Sequence, residues 1–161
     1  MNRSANVRPL VTVEGTIDMK SLEVFLRQWT KDPLGTKPVF RSLFETALSR
    51  PGTSAAFEER PGISYSLRLM HENQVQRPLF AMIDVIDDDP TQRWLSVCFY
   101  GDMIRDPDEM GDLIPEGLLG SDGYCFDITE SDTKLGDYVG ERILEAYETA
   151  RNSNSTKKAE P

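Results

Sequence analysis

Three stretches of this chain alternate apolar and polar side chains with a period of two, and the apolar positions share one parity. They read Ile63, Tyr65, Leu67 and Leu69, then Leu79, Ala81, Ile83 and Val85, then Leu95, Val97 and Phe99. A period of two sends successive side chains to opposite faces of a strand, so the stretches predict neighbouring strands sharing one apolar face. Such a face has to be covered, and the remaining segments offer helices to cover it.

Leu22, Phe25, Leu26 and Trp29 follow Asp18 at helical spacing, and Asp32-Pro33-Leu34-Gly35 breaks the pattern. Thr36 is the expected N-cap of a second helix, with Pro38 in its first turn and Phe40, Leu43, Phe44, Ala47 and Leu48 as its apolar stripe. Ser131 or Asp132 is placed to cap a last helix carrying Leu135, Tyr138, Val139, Ile143, Ala146, Tyr147 and Ala150. Gly136 and Gly140 flank that stripe and read as tolerated surface glycines rather than a close backbone approach.

Strands are expected over 54–60, 63–71, 78–87, 94–100 and 124–128, with turns at Pro51-Gly52, Pro61-Gly62 and Asp87-Asp88-Asp89-Pro90. Short connections imply antiparallel neighbours. The fold class is therefore α+β: two N-terminal helices, an antiparallel β-meander of four to six strands, and a C-terminal helix packed on one sheet face. Residues 11–151 form a single domain between tails at 1–10 and 152–161, with 11–17 an edge strand or extended arm. Gly101 to Gly123, rich in Gly, Pro and Asp yet carrying Met103, Ile104, Leu113, Ile114, Leu118 and Leu119, reads as one long loop that packs down.

The composition removes several kinds of chemistry. With 39% apolar and 28% charged residues the chain is neither fibrous nor wholly disordered. His71 is the only histidine, so two-His metal sites are excluded, and a hydrogen-bonded structural role is favoured over a catalytic base. Cys98 and Cys125 lack CxxC spacing and are too few for a disulfide framework; they read as reduced thiols on strands, which points to the cytoplasm. No segment has the length of a membrane span. The net charge of −9 argues against binding nucleic acid, and 15 acidic against three basic residues between Asp84 and Asp137 concentrate it in one stretch. Asp106-Pro-Asp108-Glu-Met-Gly111 fits a calcium loop at three positions and fails at Met110 and Gly117, and the 117–123 glycines lack the order of a phosphate cradle. No metal and no cofactor is expected.

The even positions form a face of mixed character: Ser64, Ser66, Arg68 and Met70, then Phe80, Met82, Asp84 and Ile86, then Trp94, Ser96, Cys98 and Tyr100. A partly covered second face with Arg68 and Asp84 paired is the plain reading. Trp, Tyr, Met and Arg are also the residues enriched where partners dock. The expected function is a cytosolic binding module, homodimeric, that uses this face and the acidic Gly/Pro-rich 101–123 loop, with Arg68, Asp84, Trp94, Tyr100 and Asp102 as binding residues and a cationic protein, met by the loop, or a small molecule as its other partners. The alternative is a small-molecule or metal-dependent enzyme with a pocket between that face and the 101–123 loop. No complete catalytic set is present.

Ile63-Ser64-Tyr65 followed by Arg77-Pro78-Leu79-Phe80 resembles the YdhG-like and YjbR-like small α+β bacterial-type domains, families of unknown function. The resemblance implies an Ile-Ser-Tyr strand, a second strand after a Lys-Pro-Leu-type step, and a C-terminal helix over the sheet. It carries over no catalytic residue.

Overall fold

The computed structural model describes residues 19–153. The 1–10 tail, the 11–17 strand or arm, and residues 154–161 of the expected C-terminal tail lie outside the described residues. The elements run α1 (Met19–Gln28), α2 (Thr36–Leu48), β1 (Thr53–Arg60), β2 (Ser64–His71), β3 (Ala81–Ile86), β4 (Trp94–Tyr100), β5 (Asp112–Leu118), β6 (Ser121–Ile128) and α3 (Thr133–Arg151). All strand pairs are antiparallel, in the order β1-β2-β3-β4-β6-β5. Two N-terminal helices, an antiparallel sheet of six strands and a C-terminal helix make this an α+β fold.

The odd-numbered strand positions meet the helices. Leu67, Leu69, Ile83, Val85, Leu95, Val97 and Phe99 are fully buried, as are Leu22, Trp29, Phe40, Phe44, Val139 and Ile143 on the helices. Each helix places its apolar residues at i, i+3, i+4 and i+7, which puts them on one stripe facing the sheet. The Gly136–Gly140 side of α3 lies on α2: a Cβ at Gly136 would stand 3.5 Å from Val39 Cγ1, and one at Gly140 would stand 3.9 Å from a Leu43 methyl. These glycines therefore belong to a helix seam rather than to free surface, and they meet side chains, not another backbone.

Several boundaries differ from expectation for local reasons. Thr36 is the first helical residue of α2, not its cap; the Asp32 carboxylate takes the Thr36 and Lys37 amides (3.0 and 3.1 Å) from four and five residues upstream. Gly35 makes this possible by turning left-handed at φ 73°, packed so closely on Ser131 that a side chain there would clash. Asp132 caps α3 as expected, accepting from the Lys134 and Leu135 amides. Ile63 lies in the β1–β2 turn and is 60% exposed, so it does not belong to the apolar face. Phe80 precedes β3 and packs on the Tyr147 ring of α3, so it leaves the even face for the core.

The 101–123 stretch is not one loop. Residues 112–118 form β5, and β6 begins at Ser121 after a turn in which Leu119 and Gly120 both have positive φ (51° and 88°). Two left-handed residues are what a two-residue hairpin turn requires. Pro115, Gly117 and a register shift between Ile114 and Leu118 erase the alternation by which a strand is recognised.

One ion pair fastens the β3–β4 turn to the helices. Arg93 Nε donates to Asp87 Oδ1 at 2.7 Å, with both side chains nearly closed to solvent. The Arg93 guanidinium lies 5.2–5.7 Å from the ring centres of Phe25, Trp29 and Tyr65. Asp87 Oδ2 accepts the Gly62 amide at 2.7 Å, and the Arg93 carbonyl accepts the Thr36 hydroxyl at 2.7 Å. The Asp87-Asp88-Asp89 run is thus turn chemistry, with Asp89 accepting from Thr91, as the sequence reading favoured. Replacing Arg93 by Met leaves Asp87 buried without its cation, so chemical unfolding of Arg93→Met is expected to show a loss of about 3–5 kcal/mol.

Candidate functional site

The described helices cover one face, formed by the odd positions of β2–β4 and by Phe126 and Ile128 of β6, and the remaining side chains form rows across the other side of the sheet. One row runs Arg60, Ser64, Ile86, Trp94; the next runs Glu58, Ser66, Asp84, Ser96, Asp127; a third runs Ala56, Arg68, Met82, Cys98, Cys125, Asp112. Ile86, Trp94, Met82 and Met70 are half-buried, and no described helix lies over them. This face places Arg68, Asp84 and Trp94, three of the five expected binding residues, on adjacent strands.

Arg68 and Asp84 do not form the expected ion pair. Arg68 bonds Glu58 Oε1 at 3.1 Å across the β1–β2 ladder and donates to the Ser66 hydroxyl at 3.3 Å. Asp84 stands between Ser66 and Ser96 on the flanking strands, and its Oδ1 is buried with no hydrogen-bond partner. Burial pushes the Asp84 carboxyl above the usual carboxylate range, and the Ser66 hydroxyl and the Arg68 charge offset this only in part. Asp127, one strand beyond Ser96, is also raised, by burial and by the charge of Asp112. Among the described residues neither Asp84 nor Asp127 forms an ion pair.

The other two expected residues are engaged elsewhere. Tyr100 is buried beneath Arg77, whose guanidinium lies 4.3 Å from the ring centre. Arg77 also holds Asp102 through two bonds of 2.7 and 3.1 Å, and those bonds keep the Asp102 carboxyl below its ordinary value. Arg77, on the β2–β3 connection, carried no signal beyond its place before Pro78.

Residues 101–111 turn toward α3. Thr149 donates to the Met103 carbonyl, Arg105 pairs with Glu145 at 2.9 Å, and the Tyr138 hydroxyl donates to Asp106. Burial opposes ionisation of Asp106, but the Tyr138 hydroxyl and the Gly111 and Met110 amides hold it below the usual range. Its oxygens are committed to the protein, which is turn-building rather than calcium chemistry. Among the described residues no group of three His, Cys, Asp or Glu side chains is placed to share a metal ion.

The sequence reading took Cys98 and Cys125 as reduced thiols, and the structure joins them in a disulfide across β4 and β6. They are register partners with Cα atoms 4.2 Å apart, a relation that depends on strand pairing and that sequence spacing does not reveal. The bond lies on the helix-free face between Met82 and Asp112.

His71 is hydrogen-bonded and buried. Its Nδ1 accepts the Asn73 amide at 3.0 Å, its ring meets Tyr147 edge-on, and burial lowers its pKa below the ordinary histidine value. It lines a cleft of about 430 Å³ with Arg50, Glu72, Tyr147 and Arg151, on the opposite rim of the molecule from β5. Tyr147 spends its hydroxyl on the Pro51 carbonyl.

No protein-family model matches the chain, and neither the curated proteins nor the solved structures contain a significant match.

Asp84 gives a pH-dependent expectation. Its folded pKa lies above the unfolded value of 3.8, so the native state carries a cost that is full above the folded pKa and vanishes below about 3.8. Urea unfolding across pH is expected to show Asp84→Asn more stable than the parent at pH 7. The difference should shrink to nothing as the pH falls below 3.8.

Proposed function

We propose that the protein is a binding module that docks through the helix-free sheet face, in the first instance with a second copy of itself. The observation that carries this reading is one-sided coverage among the described residues: the three described helices pack on one face of the sheet, while Met70, Met82, Ile86 and Trp94 stand half-buried on the other. Aromatic, Met and Arg side chains around desolvated polar groups are the composition of interface centres. Asp84 supports the same reading, because a buried acceptor without a donor gains from a partner that supplies one.

Asp112 and Asp127 make the β5–β6 end of the face acidic, which favours a cationic protein as any further partner. Kinship with the YdhG-like and YjbR-like domains belongs to the same proposal; it rests on the Ile63-Ser64-Tyr65 entry to β2, the Arg77-Pro78-Leu79 step before β3, and α3 over the sheet. A cytoplasmic setting is proposed with it for the reduced form. Among the described residues no helix is long and apolar enough to cross a membrane. Thiol trapping at lysis, which reads Cys98 and Cys125 as free or joined in the cell, tests that location.

Multi-angle light scattering of the full chain across concentration tests the docking reading. A dimer is expected, with Met82→Lys and Trp94→Asp each weakening self-association by about 30-fold or more while leaving the unfolding midpoint near that of the parent. A chain that remains monomeric at the highest concentration, or a dimer indifferent to both changes, overturns it.

A further inference from the structure

We propose that the Cys98–Cys125 disulfide is a reversible redox catch, opened in the folded protein by a dithiol reductant, that controls how firmly the β5–β6 hairpin is held to the rest of the sheet. Its consequence for docking rests on the reading above; its chemistry does not.

The first support is register. Cys98 and Cys125 face each other in the β4–β6 ladder, so backbone pairing holds the two sulfurs together whether or not they are bonded. Opening the bond then requires no rearrangement of the strands, and closing it requires no search. The second support is access. Both cysteines lie on the face that no described helix covers; Cys98 is buried at 7% exposure, but Cys125 is only half-buried, so an incoming thiolate can approach the Cys125 sulfur from solvent. A disulfide serving only the core would sit beneath the helices with Val97 and Phe126.

The third support is what the bond joins. β5 pairs only with β6, and β6 joins the other four strands only through β4. The β4–β6 ladder runs from Leu95↔Ile128 to Tyr100↔Gly123, and the disulfide crosses it between these ends. Closed, it makes the outer hairpin, with Asp112, Ile114 and Asp127, one body with Asp84 and Trp94. Open, the hairpin depends on ladder hydrogen bonds and on the contacts of residues 105–108 and Phe126 with α3.

The exchange balances. One thiolate of the reductant attacks one cysteine sulfur and expels the other as thiolate, forming a mixed disulfide. The second thiol of the reductant then displaces the protein cysteine, which leaves two protein thiols and an oxidised reductant after transfer of two electrons and two protons. A disulfide oxidant reverses each step.

The test uses the full chain oxidised in air and treated with dithiothreitol without denaturant. Samples are alkylated with iodoacetamide, weighed intact, and followed by amide hydrogen exchange. Both cysteines are expected to alkylate only after dithiothreitol, with far-UV circular dichroism preserved. Exchange over 112–128 should rise on the order of tenfold while 64–71 and 81–86 stay unchanged. Cys98→Ser and Cys125→Ser should show the reduced pattern under oxidising conditions. Cysteines that alkylate without reductant, a bond that resists dithiothreitol until the chain unfolds, or equal hairpin exchange in both states would overturn the catch. Light scattering of the same samples separates the two readings, because a chain monomeric in both states removes the docking reading and leaves the exchange result standing.

Discussion

A guanidinium buried among three aromatic rings is the junction of this fold. Arg93 reaches back from the β3–β4 turn to Phe25 of α1, Trp29 just beyond it and Tyr65 of β2, bonds Asp87, and lends its carbonyl to the start of α2. Asp87 in turn fixes the β1–β2 turn through the Gly62 amide. Four connections that are distant in sequence are thus held by two side chains. A desolvated pair of this kind stabilises only when further polar contacts support it, and here Asp87 gains the Gly62 amide while the Arg93 guanidinium lies against three rings. The helices can lie on the sheet because this junction fixes where their ends are.

Coverage by three helices has a geometric limit. The described helices cover one face of the six strands, and none of them lies on the other. Near the middle of that face the small Ser66 is wholly buried. Larger ones, Met82, Ile86 and Trp94, stand half-open. Asp84 records the resulting tension, since it is desolvated by its surroundings without being given a donor for Oδ1.

Much of this was legible in the chain because period and parity are local properties. The alternation from Tyr65 to Phe99 identified both faces, and the stripes from Leu22 and Phe40 identified the helices that cover one of them. β5 was not legible, because Pro115, Gly117 and solvent exposure remove the apolar alternation on which recognition depends. Arg77 over Tyr100 and the pairing of Cys98 with Cys125 were hidden for a different reason: both depend on register and on a loop's return path, which no spacing along the chain records. Asp32 as a cap was missed because a left-handed Gly35 lets a residue four positions upstream do the work of Thr36.

The two outer strands are built differently from the four between them. β1 ends in Glu58, Glu59 and Arg60, all exposed, and β5 carries a proline without an amide hydrogen together with a break in register. Charge on one rim and a missing donor on the other make each a poor template for a further strand, so growth of the sheet into a ribbon of many chains is blocked at both ends. Two rims of this kind spare the molecule the fibrous association to which exposed β-structure is prone.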